Sequence, residues 1–314
     1  MSLYLNHFCD IVHPDVLSYD YYPFIYRSYT GAIEVNDSDF YYNLQLFARL
    51  SKQKDIPFWA FCQSTNIRNC KIDDPNYTEH PEATENFLRY EAFSALAFGA
   101  KGINYWRYSD RRDDYSHVTK DSTYSLYLSA LTDTLGNCEP AWKCAQAVNL
   151  EIKRHEQMFL NAELMSYSFL DSNLNKNLYV RPTDGADIPE YDGAIHISKI
   201  TGKGVLASRL FDGIDNLILV NLDPFNTTTV KVGYSTDKVR RIFMKCDVIC
   251  HAIPGGGGII GPIVNPTDPD DPSISINYPK YKSEEFKLKP GGYAILHYAT
   301  SSSANENGDE TDNK

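Results

Sequence analysis

Between Ile56 and Tyr108 the chain carries a pattern that few folds accommodate: an apolar run (IPFWAFCQS), a polar loop, a long amphipathic stretch (EATENFLRYEAFSALAFGAKG) and a second apolar run (INYWRYS). The spacing predicts a strand, a helix and a second strand parallel to the first, because parallel strands need a crossover long enough to hold a helix. Leu88, Ala92, Ala95, Leu96 and Gly99 recur at three- and four-residue steps, whereas Glu85, Arg89 and Lys101 fall elsewhere. One face is therefore expected to pack and the other to meet water. Ala92, Ala95 and Gly99 are small enough to lie close on a sheet. Gly99 and Gly102 bracket the helix end, where a left-handed cap favours glycine.

The same rhythm extends upstream. Residues 2–13 (SLYLNHFCDIVH) read as a helix stopped by Pro14. VLSYDYYPF then reads as a strand, with Ser18, Asp20 and Tyr22 on one side and Leu17, Tyr19 and Tyr21 on the other. Residues 38–54 (SDFYYNLQLFARLSKQK) suit a helix with Ser38 as N-cap and Lys52 and Lys54 at its negative end. Strands starting near Val16, Ile56 and Ile103, each separated by a helix, have the beat of a βα barrel or a doubly wound sheet. A dinucleotide-binding sheet is disfavoured because no GxGxxG follows any strand. RRDDYSHVTKDS reads as a polar loop, and helices are expected over 122–135 and 139–162, with Pro140 near a helix start.

PFWAFCQS followed by LRYEAFSALAFGAKGINYWRY resembles the seventh and eighth βα units of a clan A glycoside hydrolase barrel, bacterial β-galactosidase-like enzymes being the nearest pattern. The likeness covers residues 1–160 well and the remainder loosely. It implies that residues 1–164 form the C-terminal part of a (β/α)8 TIM-type barrel, its last three βα units, and that the family reaction is hydrolysis of O-glycosidic bonds. On that alignment the chain begins at about the fifth helix of the barrel.

Barrel active sites form at the C-terminal ends of the strands. The residues there are Asp20, Tyr21 and Tyr22, then Cys62, Gln63 and Ser64, then Trp106, Arg107 and Tyr108. Asp20, Tyr22, Gln63 and Trp106 are the candidate sugar-binding residues. Asp20 can accept from a sugar hydroxyl or simply cap the next loop, and Trp106 offers a flat platform for a pyranose ring or is a core tryptophan. A retaining glycosidase needs two carboxylates about 5 Å apart. The resemblance places Cys62, with Gln63 next, where the nucleophilic Glu belongs, and neither is a carboxylate. It places the acid/base residue after strand four, in the half that is absent. Glu79, Glu82 and Glu85 follow the strand and favour a helix N-terminus. No catalytic residue is assigned, and the expectation is a carbohydrate-active protein that is incomplete or inactive, the alternative being a non-catalytic carbohydrate-binding or structural protein.

From Met165 short β-rich runs replace the helical period, broken by DG, GIDN, DPFN and PGG turns, so residues 165–299 are expected to form an antiparallel β-sandwich able to fold alone. NLILVNLDPFNTTTVKVGY has the form of two antiparallel strands joined at DPFN. A Gly- and Pro-rich loop spans 252–273, and residues 300–314 have the composition of a disordered tail.

Composition narrows the partners. A net charge of −11 argues against a nucleic-acid partner, and 23 Tyr and 15 Phe suit either sugar stacking or an aromatic core. No apolar run of about 18 residues and no basic, apolar leader in MSLYLNHFCDIVH is present, so neither membrane nor export signal is expected, although secretion or a periplasmic location fits a full-length relative. Seven cysteines without a CxxC pair and eight scattered His predict no disulfide framework, no metal and no cofactor. An oligosaccharide or glycoside is the expected ligand. Open barrel edges are the expected route to self-association.

Overall fold

The structure is a computed structural model, and the residues it describes are 2–27, 29–71, 78–110, 123–172, 174, 197–213, 215–235, 252–254 and 281–298. In chain order the first half comprises α1 (Ser2–Val12), β1 (Leu17–Tyr19), β2 (Phe24–Arg27), β3 (Ala32–Val35), α2 (Asp37–Lys54), β4 (Phe58–Gln63), β5 (Asn66–Lys71), β6 (Thr78–His80), α3 (Glu85–Ala97), β7 (Gly102–Trp106), β8 (Thr123–Leu128), α4 (Pro140–Lys153) and α5 (Glu156–Asn161). In the second half the described elements are strands: β9 (Glu163–Leu170), β10 (Ile197–Gly202), β11 (Val205–Phe211), β12 (Asp215–Asn221), β13 (Thr228–Ser235), β14 (Ala252–Pro254), β15 (Tyr281–Leu288) and β16 (Tyr293–Tyr298). The fold is mixed α/β, with one parallel sheet and separate antiparallel sheets.

The parallel sheet has the order β1-β4-β7, with Leu17 opposite Phe58, Trp59 opposite Gly102 and Gln63 opposite Trp106. Helices α2 and α3 are the crossovers that parallel pairing requires. The N-cap of α2 is Asn36, whose side chain accepts from the Asp39 amide, and not Ser38, which lies within the first turn. Thr84 caps α3 by accepting from the Phe87 amide at 3.2 Å. Gly99 follows its C-terminus in the left-handed region, φ +88°. Gly102 serves a different end: it is a β7 residue over which the Trp59 ring stands, and a Cβ there would lie 2.8 Å from that ring.

The runs read as loops after each parallel strand form a sheet of their own. β2 and β3 follow β1, β5 and β6 follow β4, and β8 follows β7; together they make a five-stranded antiparallel sheet, order β3-β2-β6-β5-β8. Residues 123–128, expected to be helical, are therefore a strand paired along the whole of β5. Backbone partners contributed by β5 outweigh the local pattern there. The helix expected over 139–162 is two, α4 and α5, separated at Arg154 and His155.

In the second half, β16-β12-β11-β9 and β10-β13-β15-β14 are two four-stranded sheets with antiparallel pairing throughout. The strands flanking DPFN do not pair with each other. β12 belongs to the first sheet and β13 to the second, so the turn, held by Asp223 Oδ1 accepting from the Phe225 and Asn226 amides at 2.8 and 2.9 Å, crosses between sheets. Strand alternation in the first sheet serves two cores. Val205, Ala207, Leu217, Leu219, Ala294 and Leu296 join Val230, Val232, Phe286 and Leu288 of the second sheet. Leu206, Leu210, Ile218, Val220, Tyr293 and Ile295 join the core built around the helices.

That second packing sandwiches α3. Residues Phe87–Ala97 are all buried, Phe93 stacks on Tyr293 with ring centroids 3.5 Å apart, and Gly291 lies against the Asn86 carbonyl. The water-facing side expected for this helix is thus covered. Arg89, wholly buried, is held by the Glu151 carboxylate through two bonds of 2.9 Å and by Glu85. Lys101 donates to the carbonyls of Phe159 and Ala162.

The glycine-rich segment after Pro254, the tail at 300–314 and the polar loop at 111–122 lie outside the described residues, as do the side chains of Cys70, Cys246 and Cys250.

Candidate functional site

Alternation divides the parallel sheet into two faces. Leu17, Tyr19, Phe58, Ala60 and Cys62 are buried toward the helices, and Tyr105 reaches the same side, its hydroxyl donating to Asn149 of α4 at 2.8 Å. The opposite face carries Ser18, then Trp59, Phe61 and Gln63, then Gly102, Asn104 and Trp106. Asp20, just past β1, is exposed and continues the Ser18 side by the same alternation. Trp59 and Trp106 are 40% and 38% exposed on this helix-free face. Phe61 meets Trp106 edge-on, centroids 6.4 Å apart. Phe61 and Trp106 thus lie toward the C-terminal end of the sheet, where Asp20 follows β1, while Trp59, opposite the first residue of β7, lies at its N-terminal end.

The four sequence-derived binding candidates occupy three environments. Asp20 is exposed and Trp106 partly so. Tyr22 is half-buried, its ring edge-on to His80 at 5.8 Å; burial first, and then the neighbouring Asp20 carboxylate, push its phenol far above the ordinary range. His80 in turn is pushed down by burial, its Nδ1 lying 2.8 Å from the Phe24 carbonyl. Gln63 is only 2% exposed, and its amide nitrogen donates to the carbonyls of Pro81 and Thr65 at 2.6 and 3.1 Å. The residue beside the expected nucleophile position therefore fastens its own loop. Ser64 adds to that fastening: its amide donates to the Trp106 carbonyl at 2.7 Å and its hydroxyl to the Arg107 carbonyl at 3.1 Å, across a Trp106–Arg107 peptide that is cis.

Cys62 is wholly buried on the helix side. Burial, and secondarily the Glu91 carboxyl, hold its thiol well above the usual range, so the nucleophilic thiolate is disfavoured. Glu82 accepts from the Ser129 hydroxyl at 3.0 Å, and Glu85 is paired to Arg89. The Glu79 side chain lies outside the described residues.

The carboxyl that does touch the end of β4 is not among the residues singled out from the sequence. Glu91 of α3 is 1% exposed, and its Oε2 accepts from the Gln63 backbone amide at 3.0 Å. A signal for it exists: Glu91 stands three residues after Leu88 and four before Ala95, on the packing stripe. β1 ends at Tyr19, opposite Ala60. Beyond that point β4 has no ladder partner on its β1 side, and Glu91 receives the orphaned donor. Burial, followed by the Asp20 carboxylate, raises the Glu91 carboxyl well above the usual range, against the pull of the Gln63 bond.

Among the described residues no group of three or more His, Cys, Asp or Glu side chains is placed to hold a metal ion, and no helix is long and apolar enough to cross a membrane. No protein-family model matches the chain, and no curated protein matches it at a significant level.

Proposed function

We propose that this protein binds carbohydrate on the helix-free face of its parallel sheet, and that it does so as the last three βα units of a clan A glycoside hydrolase-like (β/α)8 barrel followed by a β-sandwich. The observation carrying this reading is the exposure of Trp106, with Phe61 against it, toward the C-terminal strand ends where Asp20 lies, on the face that a barrel turns inward and on which Trp59 is also exposed. Parallel sheets ordinarily have both faces covered; here α2 and α3 cover one, and rings suited to stacking on sugar C–H faces line the other. The two four-stranded sheets sharing one apolar cluster support the sandwich.

Hydrolysis of O-glycosidic bonds is the family reaction, and this chain is the non-catalytic form of it. Cys62 and Gln63 stand where a carboxylate nucleophile belongs, the first buried as a thiol and the second bonded to its own loop. The carboxyl that touches that strand end, Glu91, reaches it from the helix side and contacts the backbone. Losing one of two catalytic carboxylates removes most of the rate.

The test is a titration of the full chain with neutral oligosaccharides, read by tryptophan fluorescence, alongside turnover of aryl glycosides. Saturable quenching that disappears in Trp106→Ala, with turnover at background, is the expected result. Quenching unchanged in both Trp106→Ala and Trp59→Ala would remove the binding surface from this face, and turnover well above background would overturn the non-catalytic reading.

A further inference from the structure

We propose that Glu91 is the positioning residue of this surface: it ties the C-terminal end of β4 to α3 and keeps Gln63 in register opposite Trp106. The inference rests on the carbohydrate reading for its functional consequence, but its structural half stands without it.

The geometry supplies the connection. Glu91 Oε2 accepts from the Gln63 amide at 3.0 Å, Gln63 is the register partner of Trp106, and the next amide, Ser64, donates to the Trp106 carbonyl at 2.7 Å. One bond from the helix thus joins the side-chain and ladder bonds that hold this strand end beside the tryptophan. The other oxygen, Oε1, is buried and has no hydrogen-bond partner among the described residues.

The surroundings decide which charge state fits. The titratable groups facing Glu91 are Tyr19 of β1, Asp20 and Tyr22 just beyond it, Cys62 of β4, Tyr90 of α3 and Tyr105 of β7. None of these is a cation, and Asp20 opposes a second negative charge. With α3 enclosed between the parallel sheet and β16-β12-β11-β9, a neutral carboxylic acid at Glu91 costs less than a carboxylate with no cation facing it. An ionised one must draw water between α3 and the end of β4. Ionising Glu91 therefore costs stability where α3 meets β4, by burying a charge, even though the Gln63 amide binds the carboxylate more tightly than the acid.

The sign follows from proton linkage. A carboxyl raised in the folded state keeps its proton there longer than in the unfolded chain, so its contribution to stability is fully present below the ordinary value of 4.5 and is lost as pH rises from there to the folded value. Over that window the folding equilibrium constant falls by about tenfold per pH unit for one such proton. Glu91→Gln keeps the shape and an acceptor for the Gln63 amide but cannot ionise.

The experiment is urea unfolding of the full chain and of Glu91→Gln as a function of pH, with the Gln63 backbone amide followed by NMR in the wild type. The expected result is a wild-type decline above the ordinary carboxylate range that the variant lacks, with the Gln63 amide shift titrating over the same window. Parallel pH profiles for the two proteins, or a Gln63 amide that does not titrate, would overturn the proposal. The amide titration needs only the wild type, so it decides the matter even where the variant fails to fold. If sugar quenching is absent from the wild type, the carbohydrate reading fails and the stability and amide measurements still judge Glu91. If Glu91→Gln abolishes quenching while its Gln63 amide and stability at low pH match the wild type, Glu91 is a ligand contact and the positioning role is wrong.

Discussion

Two glycines separate backbone strain from crowding at the level of single residues. Gly204 and Gly291 have φ of +62° and +60°, a region L side chains avoid. A Cβ at Gly204 would meet nothing within 4 Å, whereas at Gly291 it would run into the Asn86 carbonyl at the mouth of α3. Gly204→Ala is expected to cost about 1–2 kcal/mol from conformation alone. Gly291→Ala is expected to cost about 1–3 kcal/mol more, from overpacking against backbone that cannot yield. Urea midpoints of the two variants check this; equal losses would mean that the turn at Gly291 swings free of α3. The same scale holds the main surprise of the site, since Gln63, a binding candidate from the sequence, fastens its own loop instead.

Among the elements, α3 organises the molecule. Its Arg89 is fully buried between Glu85 and a Glu151 that is itself 5% exposed, so the ion pair clamps α3 to α4 inside the core. Removing one partner leaves the other charge buried. Arg89→Met is expected to destabilise by about 3–5 kcal/mol. The double replacement Arg89→Met with Glu151→Met is expected to recover much of that loss, because no uncompensated charge remains. A double-mutant cycle in urea measures it, and additive losses would show that the two charges act independently. The five-stranded antiparallel sheet is the other element of consequence: assembled from the segments after β1, β4 and β7, it closes over Gln63 and Thr65 through Pro81 and Leu128 and leaves Trp59 and Trp106 as the open part of the surface.

For the whole molecule, the outer face of β16-β12-β11-β9 belongs to the core around α3, so the all-β half and the α/β half share apolar surface. Residues 163–298 expressed alone would expose Leu206, Leu210, Ile218, Val220, Tyr293 and Ile295. An exposed patch of that kind drives association. The expected outcome for the excised segment is aggregation or a non-cooperative melt by circular dichroism; a monomeric, cooperative melt would show that the two halves are separable. In the full chain, β1 and β7 each pair only with β4 among the described residues. Open edges beside an aromatic face predict self-association, and light scattering that finds a clean monomer at tens of micromolar would mean that these edges are covered.

The helices and parallel strands through Trp106, though not the antiparallel strands β2, β3, β5 and β6 between them, were legible because helix and strand periods are local properties: Leu88, Ala92, Ala95 and Leu96 announce α3, and PFWAFCQ and INYW announce β4 and β7. The alternation that sends Tyr105 to α4 and Trp106 away from it was readable for the same reason. Only the tertiary structure decided what lies on the far side of each element. A one-helix stripe cannot reveal a second sheet packed on the opposite face, so the burial of Arg89 was invisible. The local pattern of TYSLYL does not say that β5 waits to pair with it, nor does DPFN say whether its flanking strands share a sheet. Strand pairing and two-sided burial are contributed by residues distant in the chain, and there the pattern of any one segment stops being informative.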